Sequence, residues 1–106
     1  MIFRVHYMKP DWFRNGICGM KPVVAELGVT HIYLRDVTVK RPNNTEDALE
    51  NVFYQSQGEY WSPNGEARGL IQSKGLGHTS MSVGDVIEHE GRFWVAATFG
   101  FEELAA

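Results

Sequence analysis

The chain opens on an alternating run. Ile2 to Met8 sets Phe3, Val5 and Tyr7 on one face and Arg4 and His6 on the other, the period of two expected of a half-buried strand, and Pro10 ends it. Asp11 to Met20 contains Gly16 and Gly19 and holds no sustained period, which predicts a loop with Trp12, Phe13 and Ile17 packed against the body. Pro22-Val-Val-Ala-Glu-Leu27-Gly28 predicts a helix of about two turns, because proline suits the first helical position and Gly28 suits a left-handed C-terminal cap. Thr30 to Val39 is β-branched and alternating, hence a strand. Its apolar positions change parity between Ile32/Leu34 and Val37/Val39, which predicts a bulge or bend near Arg35-Asp36.

Pro42-Asn43-Asn44 breaks that strand. Asn44 or Thr45 can then cap a helix, about 45–56, whose first turn carries Glu46 and Asp47 and whose stripe is Ala48, Leu49, Val52 and Phe53. Residues 57–77 are rich in turn signals, Ser62-Pro63-Asn64-Gly65 above all, with Glu66 to Ser73 as either a short helix or an irregular segment. Ser82-Val83-Gly84-Asp85 fits a turn with glycine at positive φ. Met81 to Leu104 then reads as a β-hairpin, Val86 to His89 and Arg92 to Phe99 about Glu90-Gly91. In its second run Phe93, Val95, Ala97 and Phe99 face one way and Trp94 and Ala96 the other, the pattern of a central strand covered on both sides. Together these elements predict one α+β domain spanning 1–106. Its small antiparallel β-sheet of about four to five strands packs with one main helix and one or two short helices.

Composition adds bounds. A chain of 106 residues is one domain's length and can bury well over half of its unfolded surface, and 12% aromatics predict an aromatic-rich core. No apolar run reaches bilayer length and the N-terminus lacks a signal-peptide pattern, so a cytoplasmic protein without a membrane is expected; the lone Cys18 fits a reducing compartment. The net charge of −3 argues against a protein devoted to gripping phosphates. It is unevenly spread, however: residues 1–42 carry seven bases and three acids, residues 43–106 three bases and ten acids. A bipolar surface suits a protein partner as well as a nucleic acid.

Candidate chemistry is sparse. His6, His31, His78 and His89 with Cys18 lack the close spacing of a zinc motif, and three of the four histidines fall on strands, where hydrogen-bonded or exposed histidine is commonplace; no metal and no cofactor is expected. Cys18 lies between Gly16 and Gly19, so a nucleophilic site is conceivable, but a buried cysteine acting as a small hydrophobe is the favoured reading. The most unusual stretch is Gln57 to Ile71, which sets Glu59, Trp61, Asn64, Glu66 and Arg68 on what reads mostly as loop. Loops on a rigid scaffold are where recognition concentrates, and Trp and Arg are enriched at interface hot spots. The plainer alternative has Trp61 filling the core and Glu59 or Glu66 pairing with Arg68. A further polar cluster, His78 to Ser82, reads as hydroxyls closing turns.

Residues 57–71 and 76–104 resemble small uncharacterised proteins of bacterial mobile elements. The second block is similar to the YodL-like small domain, with its Ser-x-Ser-x-x-Asp-Val-Ile core leading to a hairpin that ends Phe-Gly-Phe; here these are Ser80-Met-Ser82-Val-Gly-Asp85-Val-Ile87 and Phe99-Gly-Phe101. The resemblance covers less than half the chain and carries no catalytic residues. It implies a plasmid or phage context, in which small proteins often inhibit host defence such as restriction or CRISPR systems. The leading expectation is therefore a non-enzymatic protein-binding protein of a mobile element acting through Glu59, Trp61, Asn64, Glu66 and Arg68. One alternative is nucleic-acid binding through Arg4, Arg14, Lys21, Arg35, Lys40 and Arg41, with Trp12 or Phe13 stacking; another is a small enzyme using Cys18 or a histidine cluster. A homodimer is compatible with either binding role.

Overall fold

A computed structural model describes all 106 residues. Five antiparallel strands form one sheet: β1 (Ile2–Met8), β2 (His31–Thr38), β3 (Val86–His89), β4 (Arg92–Ala96) and β5 (Phe101–Leu104), in the order β2-β1-β3-β4-β5. The helical segments are α1 (Pro10–Ile17), a single 3-10 turn (Val24–Glu26) running into α2 (Leu27–Thr30), α3 (Thr45–Gln55), α4 (Gly58–Trp61) and α5 (Arg68–Ser73). The architecture is the mixed α+β sheet-and-helix fold that the hydrophobic pattern predicts.

Register fixes what each face of the sheet buries. Val5 lies opposite Ile87 and Ile87 opposite Trp94, so Phe3, Val5, Tyr7, Ile87 and Trp94 share one face. That face forms the main core with Leu34 and Val37 of β2, Ala48, Leu49 and Val52 of α3, and Ala67, Ile71, Leu76 and Met81 beyond it. On the opposite face Val86, Val95 and Leu104 pack with Leu27 in a smaller cluster under the segment that joins β1 to β2. The bulge on β2 is present. Val5 pairs with Arg35 but His6 with Tyr33, which leaves Leu34 as the extra residue, one position before the predicted site, and turns it into the main core.

Helix α3 forms as its sequence predicts. Asn44 is extended and its side chain accepts the Asp47 amide at 2.8 Å, an N-cap with Glu46 and Asp47 at the positive end of the helix dipole. Gly84 takes φ +99° in the turn before β3.

Four local expectations fail, each for a physical reason. Residues 11–20 are not a loop: Pro10 starts α1, and Gly16, read as a breaker, is a contact residue. A Cβ on Gly16 would stand 2.1 Å from the Met8 sulfur, and one on Gly84 would stand 2.9 Å from the Gly16 backbone, so helix and turn meet through two glycines. Gly28 does not cap a helix, since it sits inside α2, and Pro22 precedes the 3-10 turn instead of opening an α-helix. Gln57 to Trp61 contributes one helical turn, α4, where loop was expected. Finally, the hairpin is a three-stranded meander: β4 ends at Ala96, the chain turns over 97–100 with Gly100 at φ +74°, and Phe101–Leu104 returns as β5. Phe99, expected on a sheet face, is 93% exposed at the tip of that turn.

Candidate functional site

Two polar constellations sit at opposite extremes of burial. The first surrounds Asp85, whose side chain is fully enclosed. One carboxylate oxygen accepts the Met8 amide at 2.8 Å; the other accepts the Ser82 amide at 2.8 Å and Nε2 of His78 at 2.9 Å. The His78 ring stacks on Tyr7 with centroids 4.5 Å apart and meets Phe13 of α1 edge-on at 4.8 Å. The Tyr7 hydroxyl donates to the Thr79 carbonyl at 2.7 Å, and burial, followed by the Asp85 charge, drives its pKa far up, so it remains a neutral donor. Beside it His31 is buried with both nitrogens engaged. Nε2 donates to the Gly84 carbonyl at 2.8 Å, so Nδ1 accepts from the Thr30 hydroxyl at 2.7 Å, and burial holds the imidazole below its usual pKa in the neutral form.

The 78–82 segment is also stitched to the end of α3 and to α4. The Met81 amide donates to Ser56 O, Gln57 Nε2 to Met81 O, the Gly58 amide to Ser80 Oγ, and Trp61 Nε1 to Thr79 O. Thus Ser80, Ser82 and Asp85, the residues that carry the sequence resemblance, are occupied in joining sheet, helix and turn. Their hydrogen-bonding capacity is directed inward.

The second constellation is exposed. On α3, Glu46, Glu50 and Tyr54 follow one another at four-residue spacing along one helix face, opposite the 97–100 turn. The Glu46 carboxylate lies 3.1 Å from where a Cβ on Gly100 would stand, and Glu50, Phe53, Tyr54, Thr98, Gly100 and Phe101 line a groove of about 520 Å³ between helix and turn. Tyr54 stacks on Tyr60 of α4 at 4.2 Å, and both rings are half exposed. Hydrogen bonding to Tyr54 raises the pKa of the Tyr60 phenol. On the other side of the turn a second groove, of about 380 Å³, is lined by Gly19, Met20, Val83, Ala97 and Phe99. The turn therefore separates two grooves, sharing Ala97 and Thr98 between them, with Phe99 at its tip on the side of the second.

The residues singled out in the 57–71 stretch do not converge on one surface feature. Trp61 is turned inward, packed against the main core with the Arg35 guanidinium 4.3 Å from its ring. Glu66 accepts the Asn64 backbone amide at 2.7 Å, which lowers its pKa, and makes no pair with Arg68. Arg68 lies at the rim of a separate polar hollow with Ser62 and Gly65, while Glu59 is exposed on α4 beside Tyr60. Neither glutamate forms the expected pair with Arg68, because the turn is held by Glu66 on Asn64 and by Ser62 Oγ accepting the Ala67 amide.

Of the basic set, Arg4 pairs with Glu88 at 3.3 Å over the Tyr33 ring, Lys21 pairs with Glu102, and Arg35 is partly buried with its charge disfavoured by desolvation. Arg14, Lys40 and Arg41 are exposed and without an acidic partner. Cys18 is exposed at the end of α1, contrary to the expected burial, because α1 directs Gly16 and not Cys18 at the body. No three of the histidine, cysteine and carboxylate side chains converge as a metal site would require. No helix is long and apolar enough to cross a membrane.

Neither a family model, nor a curated protein, nor a solved structure matches the chain.

In sequence the residues of the exposed constellation read as ordinary: Glu46 as a first-turn acid of the helix and Phe99 as a strand position. Tyr54 falls off the apolar stripe of α3, and that displacement is the legible sign that it faces outward. Gly100 is the sign that Phe99 stands in a turn.

Proposed function

We propose that this chain is a non-enzymatic protein-binding protein whose contact surface centres on the 97–100 turn. The single observation that carries the reading is Phe99, a large apolar ring 93% exposed at the tip of a turn that separates two grooves. Aromatic side chains dominate interface energetics because they desolvate large area for few rotatable bonds, and a partner pocket that took this ring would gain on the order of 2 kcal/mol from its burial. Tyr54 and Tyr60 extend the aromatic surface beyond the groove. This relocates the contact surface from the 57–71 stretch, of which Gln57 lines the groove and Tyr60 stacks on Tyr54 at its edge. A role in a mobile element, as an inhibitor of a host defence system, rests on the resemblance of residues 80–87 and 99–101 and belongs to the same proposal.

Affinity capture from a bacterial host lysate with wild-type and Phe99→Ser protein, both folded by circular dichroism, tests it. The expected result is a specific partner retained by the wild type and lost by the variant. Identical captures with the two proteins would remove this surface from consideration.

A further inference from the structure

The groove between α3 and the 97–100 turn is chemically one-sided. Between Arg41 and Arg68 the chain has no lysine or arginine but five carboxylates, Glu46, Asp47, Glu50, Glu59 and Glu66. Two have partners: Asp47 accepts the Asn43 amide and Glu66 accepts the Asn64 amide. Glu46, Glu50 and Glu59 are exposed and form no ion pair anywhere in the molecule. Glu46 and Glu50 stand four residues apart on α3, a spacing at which like charges repel and weaken the helix slightly. Tyr54, at the next such step, carries the stacked Tyr60 beside it. Phe53, Ala96 and Phe101 thus line the groove together with Glu50 and Tyr54, Glu46 stands at its Gly100 end, and Tyr60 stacks on the Tyr54 ring beyond it.

Carboxylates and aromatic faces attract the same chemistry, since cations are held by charge-assisted hydrogen bonds to the first and by the ring quadrupole of the second. Resting on the reading of this surface as a protein contact, we propose that the groove takes an arginine- or lysine-rich segment of the partner protein. The aliphatic stems would lie along the Phe53–Phe101 floor, with the cationic ends between Glu46, Glu50 and the Tyr54–Tyr60 pair. Cation binding also relieves the Glu46–Glu50 repulsion, and the negative groove disfavours nucleic acid here through the same charges.

The test is a ¹⁵N NMR titration at physiological salt with a synthetic peptide of alternating arginine and leucine, against a glutamate–leucine peptide of equal length. The expected result is shifts confined to 46–60 and 96–101 with the basic peptide and none with the acidic one. Glu46→Gln with Glu50→Gln should weaken binding about tenfold, since each removes one exposed ion pair with the peptide. Glu26→Gln with Glu90→Gln, the same change in net charge elsewhere, should leave it within about twofold. Equal loss in both pairs of substitutions, or shifts spread over other surfaces, would overturn the proposal, as would a dimer in sedimentation that Glu46→Gln/Glu50→Gln dissolves, because the occupant would then be a second copy. If capture of the natural partner depends on Phe99 but is indifferent to Glu46 and Glu50, the contact surface stands and the basic partner falls; if capture is indifferent to Phe99, the underlying reading falls first.

Discussion

The Asp85 joint and the 97–100 turn lie on one continuous stretch of chain, yet they use their polar and aromatic groups in opposite ways. Around Asp85 each carboxylate oxygen is met, and the His78 ring that meets one of them is stacked on Tyr7. Around the turn, Glu46 and Glu50 are unpaired, two tyrosines are half exposed and Phe99 is almost fully exposed. The lesson is that a polar motif conspicuous in sequence can be wholly engaged in folding. Groups with capacity to spare mark the surface available for binding.

Breaking the joint carries the largest expected effect. Asp85→Ala strands the Met8 and Ser82 amides without acceptors in the interior, and each stranded donor costs about 1–3 kcal/mol. The loss of about 3 kcal/mol or more should lower the thermal midpoint by more than about 10 °C in a calorimetric scan. Gly84→Ala comes next. It places a Cβ 2.9 Å from the Gly16 backbone at φ +99°, a conformation that itself costs an L-residue about 1–2 kcal/mol, so about 2–3 kcal/mol is expected by urea unfolding. A change at the open turn should do the reverse, since Phe99→Ser removes no packed contact and should leave the unfolding midpoint within about 0.5 kcal/mol of wild type.

Acid at about pH 6 tests the buried histidines. Burial depresses the pKa of His31, and also that of His6, whose hydrogen bond to Glu88 at 2.8 Å offsets the effect in part. The unfolded chain takes up protons near pH 6.5 that the folded chain refuses, so stability should fall as pH drops below about 6.5 and the loss should level off below the folded pKa values. His31→Gln should flatten that slope in pH-dependent urea titrations, and an unchanged slope would mean that these imidazoles are not held neutral.

Much of this fold was legible in the chain because each legible element carries its own signal. The Phe3-Val5-Tyr7 alternation, the Asn44 cap with its acidic first turn, and the parity change on β2 all act locally. What was hidden depends on contacts made across the fold. Gly16 reads as a helix breaker until Gly84 and Met8 are seen pressed against it, and Asp85 reads as a turn residue until Met8 and His78 arrive from elsewhere in the chain. Phe99 reads as strand because the run from Phe93 alternates through it, and Gly100 alone signals otherwise. In the 57–71 stretch the interface-like composition was plain, but Trp61 faces inward because Thr79 and Arg35 provide its partners there.

Residue-resolved amide hydrogen exchange of the protein, free and bound to the partner captured through Phe99, reads both regions at once. The Met8 and Ser82 amides should exchange only on global unfolding in either state, while those of Thr98 and Phe99 should exchange fast in the free protein and slow on binding. Binding-induced protection confined to 62–77, or to the Arg4–Tyr33–Glu88 face, with the turn unchanged, would contradict the assignment of the contact surface.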